Sequence, residues 1–438
     1  MASSQTLPSD LYFEILTRAS FDTVGRCRLV SKQWNHLTYD SSFINQLSQR
    51  TKTTHGVFIQ SSISSNYIST FVQAVGNNVD VSNSEQLSLS FLPQPVKIEA
   101  AHQGILVCVS QKRVPQYYVC KPTTREWEQI HNPKTRYMTV KIALMVLRSN
   151  PLRYKIVRFS EPKSPYSNYK SQEHCYNLRC EVYDSKARAW KQLNNVALPK
   201  DAYILRFQPA VSACGALHWL LSDNRVGIFA FHVDEENWEI FAPPCLPVDN
   251  VNGNQVVEYQ GRLAWICEVE DSIELWVMED YKNKVWSKRQ IIRIKGLDRL
   301  ASFATLCNND VALMRGFFKI IFYKFGDYSS KIANLEEISR PDEIFMLQSD
   351  SEPTRILKGP LKSWVIIRWF RSIKKKWSPI TKYRLRTVGK FCSTYGTYAI
   401  EFVFLFLALR TQLIQRLTHY LYGITHVLQT GLEWLAGA

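Results

Sequence analysis

The sequence predicts a multi-domain chain with a small all-α N-terminal unit of three helices, a mainly-β, propeller-like domain behind it, and a helical C-terminal extension. Three observations predict this: apolar residues at helical spacing in residues 7–47, a recurring strand–turn–tryptophan element, and a basic, aromatic composition after residue 361. A chain of 438 residues is too long for one ordinary domain. We place the domains at residues 1–50, 51–345 and 346–438.

Residues 7–47 have the start signals and the apolar spacing of three short helices. Pro8 and Ser9 can stop the preceding chain and cap the first helix, and Asp22 or Thr23 can cap the second. The apolar positions at helical spacing are Leu11, Ile15 and Leu16, then Val24, Cys27, Leu29 and Val30 running towards Trp34, then Phe43, Ile44 and Leu47. Three such helices make a very small core, so we expect a partner to cover part of their apolar surface.

A short apolar strand, a polar turn and a tryptophan that opens a return strand recur four times in the middle of the chain. The four copies are residues 119–127, 182–190, 230–238 and 277–286, with Trp127, Trp190, Trp238 and Trp286 at their ends. This pattern is typical of a β-hairpin with a loose loop.

A glycine-led apolar element precedes three of these hairpins and sets a longer period. Gly104, Gly215 and Gly261 open the three copies, 23, 23 and 25 residues before the hairpin tryptophans, and successive tryptophans lie 63, 48 and 48 residues apart. A period near 48 residues with three or four strands per unit is typical of propeller blades, which bury their faces by stacking around an axis. The number of blades stays open.

The hairpin tryptophans recur at equivalent positions in every unit, which favours a role in the core over a role as ligand platforms. His218 lies in a predicted strand between Leu217 and Trp219, and we expect it to be a hydrogen-bonded structural residue. In such scaffolds the residues that determine binding specificity usually lie in variable loops. The candidate loops are residues 160–173, 195–203 and 249–254.

Most of the positive charge lies near the C-terminus. The whole chain has a formal charge of +16, and residues 351–438 contain 14 Lys and Arg against three acids, a net of +11. Apolar residues beyond residue 410 keep the spacing of an amphipathic helix. Such a tail can lie on an anionic membrane, but a helix docked on the chain's own body or on a partner is the favoured interpretation, and nucleic acid is disfavoured.

The chain has no motif of a catalytic, metal or cofactor site. Walker, GxGxxG, HExxH and GxSxG patterns are absent, and the ten cysteines form no CxxC pair. Scattered cysteines and a polar N-terminus predict a reducing compartment, the cytoplasm or the nucleus. We therefore expect no cofactor and no enzymatic activity.

The N-terminal residues strongly resemble the F-box of plant proteins. The matching stretches are residues 7–11, 14–16, 26–34, 40 and 43–44, close to the pattern LPxDLxxEIL…RCRxVCKxWxxL…DPxFI. The resemblance implies a helical motif that binds the Skp adaptor and, through it, a cullin. It implies that the apolar anchors are Leu7, Pro8, Leu11, Ile15, Leu16, Val24, Val30 and Trp34.

The middle of the chain resembles the kelch-like F-box-associated domain of the same plant proteins. The stretches that carry the resemblance are residues 104–127, 154–190, 211–238 and 257–286. The two resemblances together imply the substrate-recognition subunit of an SCF-type ubiquitin ligase, whose β domain captures an unknown target protein. Two alternatives stay open: a propeller-type enzyme, and a scaffold tethered to a membrane by the tail.

Overall fold

Four helices lead into six antiparallel β-sheets within the part of the chain that the computed structural model describes. The described residues are 9–51, 54–63, 66–73, 87–161, 176–199, 202–205, 208–222, 227–245, 254–269, 272–293, 301–308, 310–325, 329–335, 338, 340–348 and 356. They all fall in one compact unit, Met1–Lys358. The predicted amphipathic tail lies outside the described residues.

The helical unit has four helices where the sequence predicted three. They are α1 (Ser9–Leu16), α2 (Phe21–Val30), α3 (Lys32–Thr38) and α4 (Ser41–Thr51). The second predicted helix divides at Ser31, which is extended (φ −152°, ψ 154°) and whose hydroxyl accepts a hydrogen bond from the Trp34 N–H. The predicted cap at Asp22 or Thr23 is wrong, because the Ser20 hydroxyl accepts from the Thr23 N–H at 3.3 Å and caps α2.

The six sheets are the blades of a propeller, numbered here in chain order. Blade 1 has β1 (Thr54–Ile63), β2 (Asn66–Gln73) and β25 (Glu343–Gln348); blade 2 has β3 (Val96–His102), β4 (Ile105–Ser110), β5 (Tyr117–Lys121) and β6 (Glu126–Ile130). Blade 3 has β7 (Met138–Ser149), β8 (Leu152–Glu161), β9 (Tyr176–Asp184), β10 (Ala189–Gln192) and β11 (Val196–Leu198).

The remaining blades complete the ring. Blade 4 has β12 (Tyr203–Ile204), β13 (Val211–Ala213), β14 (Ala216–Ser222), β15 (Gly227–His232) and β16 (Asn237–Phe241); blade 5 has β17 (Asn254–Tyr259), β18 (Arg262–Val269), β19 (Ser272–Asp280) and β20 (Val285–Arg293). Blade 6 has β21 (Ser302–Asn308), β22 (Val311–Gly316), β23 (Lys319–Lys324) and β24 (Ser330–Asn334). The predicted propeller is thus confirmed, with six blades in the described part of the chain.

Blade 1 is built from both ends of the propeller sequence. Strand β25 pairs antiparallel with β1, and Phe345 lies opposite Phe58. Both rings are buried with Ile98 and Leu106 of blade 2 in one apolar cluster. The C-terminal strand therefore closes the ring against the first strand of the domain.

The four predicted hairpins are confirmed. Each tryptophan lies opposite a residue of the preceding strand, in the pairs Cys120–Trp127, Tyr183–Trp190, Phe231–Trp238 and Met278–Trp286. Each glycine-led element begins with a two-residue turn, in which the glycine is the second residue. In the turn before β18, Gln260 and Gly261 both have positive φ, 53° and 79°, the backbone of a type I′ hairpin turn.

The core lies between neighbouring blades, and the tryptophans belong to it. Trp190 is 6% exposed, and the three other hairpin tryptophans are half-buried against apolar clusters. Trp219 and Trp265, from the glycine-led elements, are fully buried. The predicted core role of these residues is therefore confirmed.

Two of the predicted binding loops fall largely outside the described residues. The first is described only at residues 160–161, and the third only at Asn254, where β17 begins. Part of the middle loop is not a loop, because β11 pairs with β9, and Val196 and Leu198 are buried.

Candidate functional site

The helical unit has a small apolar core of its own. Val24, Phe43 and Leu47 are fully buried, and Leu16 and Ile44 are 4% and 9% exposed. These side chains come from α1, α2 and α4, so the core fixes how three of the helices cross. A unit this small keeps little apolar surface inside.

Four aliphatic side chains of the same unit remain uncovered. They are Leu11 (47% exposed), Ile15 (57%), Leu29 (88%) and Val30 (68%), and we call them the apolar face. Leu11 and Ile15 are four residues apart on α1 and therefore share one side of that helix. Leu29 and Val30 are the last two residues of α2. A surface with large exposed aliphatic groups is typical of a protein interaction site.

An ion-pair cluster holds α1 against α4 beside this face. The Glu14 carboxylate accepts hydrogen bonds from Arg18, in the turn just after α1, at 2.7 Å, and from Arg50 of α4 at 3.0 Å. These bonds, the Arg18 one first, hold the pKa of Glu14 below its ordinary value. The carboxylate therefore stays charged and the two helices stay tied at neutral pH.

The predicted adaptor anchors divide into four groups. Leu11, Ile15 and Val30 are exposed on the apolar face, whereas Leu16 and Val24 are buried in the chain's own core and are not available to a partner. Leu7 and Pro8 lie outside the described residues. Trp34 is half-buried, with its ring 5.6 Å from that of Tyr12.

Leu29 is the residue of the apolar face that the predicted anchor set missed. It lies five positions after Val24, which at 100° per residue places it about 140° around the helix from the buried side. That angular position, read from the sequence, indicates an aliphatic residue that α2 cannot bury internally.

Polar contacts join the helical unit to the propeller. The Gln103 Nε2 donates to both the carbonyl and the hydroxyl of Ser41 at 2.8 Å, and the Ser149 N–H donates to the Tyr39 carbonyl at 3.1 Å. The Arg148 guanidinium lies 5.9 Å from the Tyr39 ring. Because these contacts reach blades 2 and 3, the apolar face is held in a fixed position relative to those blades.

The propeller axis contains a cavity of about 190 Å³. Inner strands of several blades line it, and Asn45 and Ser48 of α4 stand at its edge. Nearby carboxylates are paired with amines: Lys97 lies 3.2 Å from Glu99 and 3.5 Å from Glu343, and Lys141 lies 3.9 Å from Glu343. A propeller enzyme of the kind left open above needs free acids or a metal at this place.

The pKa values of this cluster follow from burial and pairing. Burial alone would lower the pKa of Lys97, but the Glu99 and Glu343 carboxylates outweigh it, so its pKa is raised and the amine stays charged. Burial raises the pKa of Glu99, against the pull of Lys97. Glu99 and Glu343 therefore act as partners of lysines, an arrangement typical of structural ion pairs.

The described residues contain no group of three or more His, Cys, Asp or Glu side chains placed to hold a metal ion. Among the helices of the described segments, none has both the length and the apolar character needed to cross a bilayer.

Comparison with known proteins agrees with this architecture. A family model described as F-box-like matches residues 4–50, and one described as F-box associated beta propeller domain matches residues 47–323. F-box protein At5g41720 of Arabidopsis thaliana is 35% identical over 195 residues, which cover 42% of this chain and 100% of that protein. F-box protein At5g49610 of the same plant is 28% identical over 300 residues, covering 66% of this chain and 80% of its own.

Both family models match in the order in which the structure places the helical unit and the propeller, and together they span most of the described residues. The chain therefore belongs to the plant-type F-box proteins that carry an F-box-associated β-propeller.

Proposed function

We propose that this protein is the substrate-recognition subunit of an SCF-type ubiquitin ligase. The F-box helices bind the Skp adaptor and through it the cullin, and the propeller binds the target protein. The observation that carries the proposal is the apolar face: four aliphatic side chains are uncovered on a helical unit whose own core is already filled.

Burial of the apolar face supplies the free energy for docking. Covering a largely exposed aliphatic side chain is worth about 1–2 kcal/mol. Four such residues therefore offer several kcal/mol before the costs of association are subtracted. Leu11 and Ile15 contribute from α1, and Leu29 and Val30 from the end of α2.

In this role the protein acts by holding its target close to the ubiquitin-charged enzyme. A target held on the propeller is presented to the ubiquitin-charged enzyme at high effective concentration, since both are tethered to one assembly. The receptor need not supply a reacting group. The rigid junction at Gln103 and Ser149 suits this role, because it fixes the adaptor-binding helices relative to the propeller.

Co-elution with purified Skp adaptor tests the proposal. The wild-type chain should co-elute, and the L11D/I15D variant should not, because two charges in the contact would have to lose their hydration. Ile332→Asp, at an exposed (53%) position on β24, is the matched control and should co-elute like wild type.

Circular dichroism of the three proteins should be the same, because both substituted positions of the double variant are exposed. A folded wild-type chain that fails to co-elute would refute the proposal, as would a double variant that still binds with wild-type affinity.

A further inference from the structure

Two neighbouring loops carry a strongly basic surface that the adaptor contact does not use. Residues 111–116 join β4 to β5, and residues 131–137 join β6 to β7, which begins at Met138. We call the exposed side chains of these loops and of the first residue of β7 the basic patch: Lys112, Arg113, Val114, Lys134, Arg136 and Met138. Val114 is 68% exposed and Met138 is 51% exposed.

The four cations of the basic patch are not neutralised within the described residues. Lys112, Arg113, Lys134 and Arg136 take part in no ion pair or hydrogen bond with any other described residue. Glu161 faces Met138 across the β7–β8 ladder, and it has an interaction of its own. Among the described residues, the patch therefore presents uncompensated positive charge beside exposed aliphatic groups.

A hydrogen bond joins the two loops, and another closes the first of them. The Asn132 amide donates to the Pro115 carbonyl at 2.7 Å. The first loop is closed at its base, because the Ser110 and Gln116 backbones pair through the Ser110 N–H at 2.9 Å. A surface that is already ordered loses little conformational entropy when a partner binds.

A buried ion pair anchors the second loop from below. Arg158 and Glu181, each with a side chain 2% exposed, pair on neighbouring strands of blade 3. Arg158 Nη2 donates to the Tyr137 carbonyl at 2.6 Å, and the Thr135 hydroxyl donates to Glu181 at 2.6 Å. The carboxylate beneath the patch is thus neutralised, so the field above it stays positive.

Strand direction places the basic patch at the end of the blades away from the F-box. Strand β7 has Ser149, which contacts Tyr39 of the helical unit, at one end and Met138 at the other. Its twelve residues span roughly 35–40 Å. Strand β4 runs likewise from the turn that contains Gln103 to the first loop. A ligand on the patch therefore does not compete with the adaptor.

We propose that the basic patch binds an acidic peptide segment of the target protein, an inference that rests on the proposed function. Charge complementarity selects carboxylates for the four cations. The exposed Val114 and Met138 favour a peptide that has aliphatic side chains between its acidic residues. A nucleic acid is less favoured, because its phosphates are bound by Lys and Arg independently of sequence and its bases stack on aromatic side chains. Charge complementarity does not favour the chain's own residues 351–438 as the ligand, because their net charge is +11.

Photo-crosslinking and affinity measurements with a defined probe test the inference on the full chain. The probe is a short fluorescent peptide of Glu, Leu and Val residues with a photo-reactive group, and its comparators are the same peptide with Lys for Glu and a single-stranded RNA. The test variant reverses the patch (K112E/R113E/K134E/R136E). The control variant reverses four exposed cations at the opposite ends of the blades (R125E/R153E/K186E/K282E).

The acidic peptide should crosslink to residues 111–116 and 131–138, and its affinity should fall as salt rises. Patch reversal should weaken binding at least about tenfold, since four screened ion pairs are lost, and the control variant should bind like wild type. Equal binding by wild type and the patch variant, crosslinks confined to residues 351–438 or elsewhere, no binding at all, or a preference for RNA would each overturn the inference.

Adaptor co-elution, measured on the same variants, separates this inference from the proposed function. The patch variant should retain the Skp adaptor, because its substitutions lie at the other end of the blades. Retained adaptor with no loss of peptide binding refutes only the acidic-peptide site, whereas wild-type chain that binds the peptide but not the adaptor refutes only the ligase role.

Discussion

His218 shows how a polar residue is accommodated in the propeller core. Its side chain is fully buried, its Nδ1 lies 3.2 Å from the Val211 carbonyl, and its Nε2 lies 2.8 Å from the Tyr281 hydroxyl. Burial, the largest cause, lowers the pKa of His218 to about 3. His232 and Lys284 also lower this pKa, whereas the Val211 carbonyl and Glu239 act against the shift. The predicted structural role is confirmed.

The lowered pKa makes folding stability depend on pH. The unfolded chain protonates His218 below its ordinary value of about 6.5, whereas the folded chain resists until about pH 3. The unfolded state then binds more protons, so we expect the free energy of unfolding to fall as pH drops through this window. His218→Gln should flatten the dependence, measured as urea midpoints between about pH 7 and pH 4.5.

Wild-type and H218Q midpoints that shift in parallel over this range would show that His218 does not couple folding to pH. His102, whose pKa burial lowers to about 4, remains in both proteins and supplies a common background.

Among the helices and strands, local sequence patterns predicted the features that depend on residues close together in the chain. The hairpins could be predicted because a tryptophan opens each return strand at a fixed distance from the turn. The break at Ser31 was missed, since helical spacing continues through it and only the capping hydroxyl reveals it. The junction of Gln103 with Ser41 has no sequence pattern, because the two residues are 62 positions apart.

Tertiary packing also decides which apolar residues of the helical unit are exposed at the candidate site. Spacing alone could place Val24 and Val30 on α2, but it could not tell that the first is buried and the second exposed. That difference depends on which side α4 covers, with Phe43 and Leu47 closing over Val24.

The Arg158–Glu181 pair joins β8, β9 and the loop of residues 131–137, so its loss should lower the stability of the fold. Glu181→Ala leaves a buried guanidinium without its carboxylate, and we expect this to lower the free energy of unfolding by about 3 kcal/mol. Replacement of both partners (R158M/E181L) should cost less, because no charge is left uncompensated. Urea unfolding of the two variants measures the difference, and a single variant as stable as the double one would contradict this account.

At the scale of the whole molecule, stability depends on closing the ring. Residues 344, 345 and 347 of β25 are buried against blades 1, 2 and 6. Their pairing with β1 joins segments almost the whole domain apart, which no local pattern in the sequence indicates. Composition and period predicted a propeller, but neither the blade number nor this closure.

A chain that ends at residue 340 should lose its cooperative unfolding transition, because β1 is left with an unpaired edge and exposed apolar side chains. A chain that ends at residue 358 keeps β25 and is the matched control. Differential scanning calorimetry compares the unfolding transitions of the two truncated chains. An unchanged transition in the shorter chain would show that β25 is dispensable for the fold.

The ligase role requires the apolar face to be open for the Skp adaptor. Hydrogen–deuterium exchange of the full chain, with and without purified Skp adaptor, measures whether the adaptor covers this face. We predict slower exchange in Ser9–Leu16 and in the last turn of Phe21–Val30 on addition of the adaptor, with the blades unchanged. Protection confined to the propeller, or none in these two helices at saturating adaptor, would contradict it.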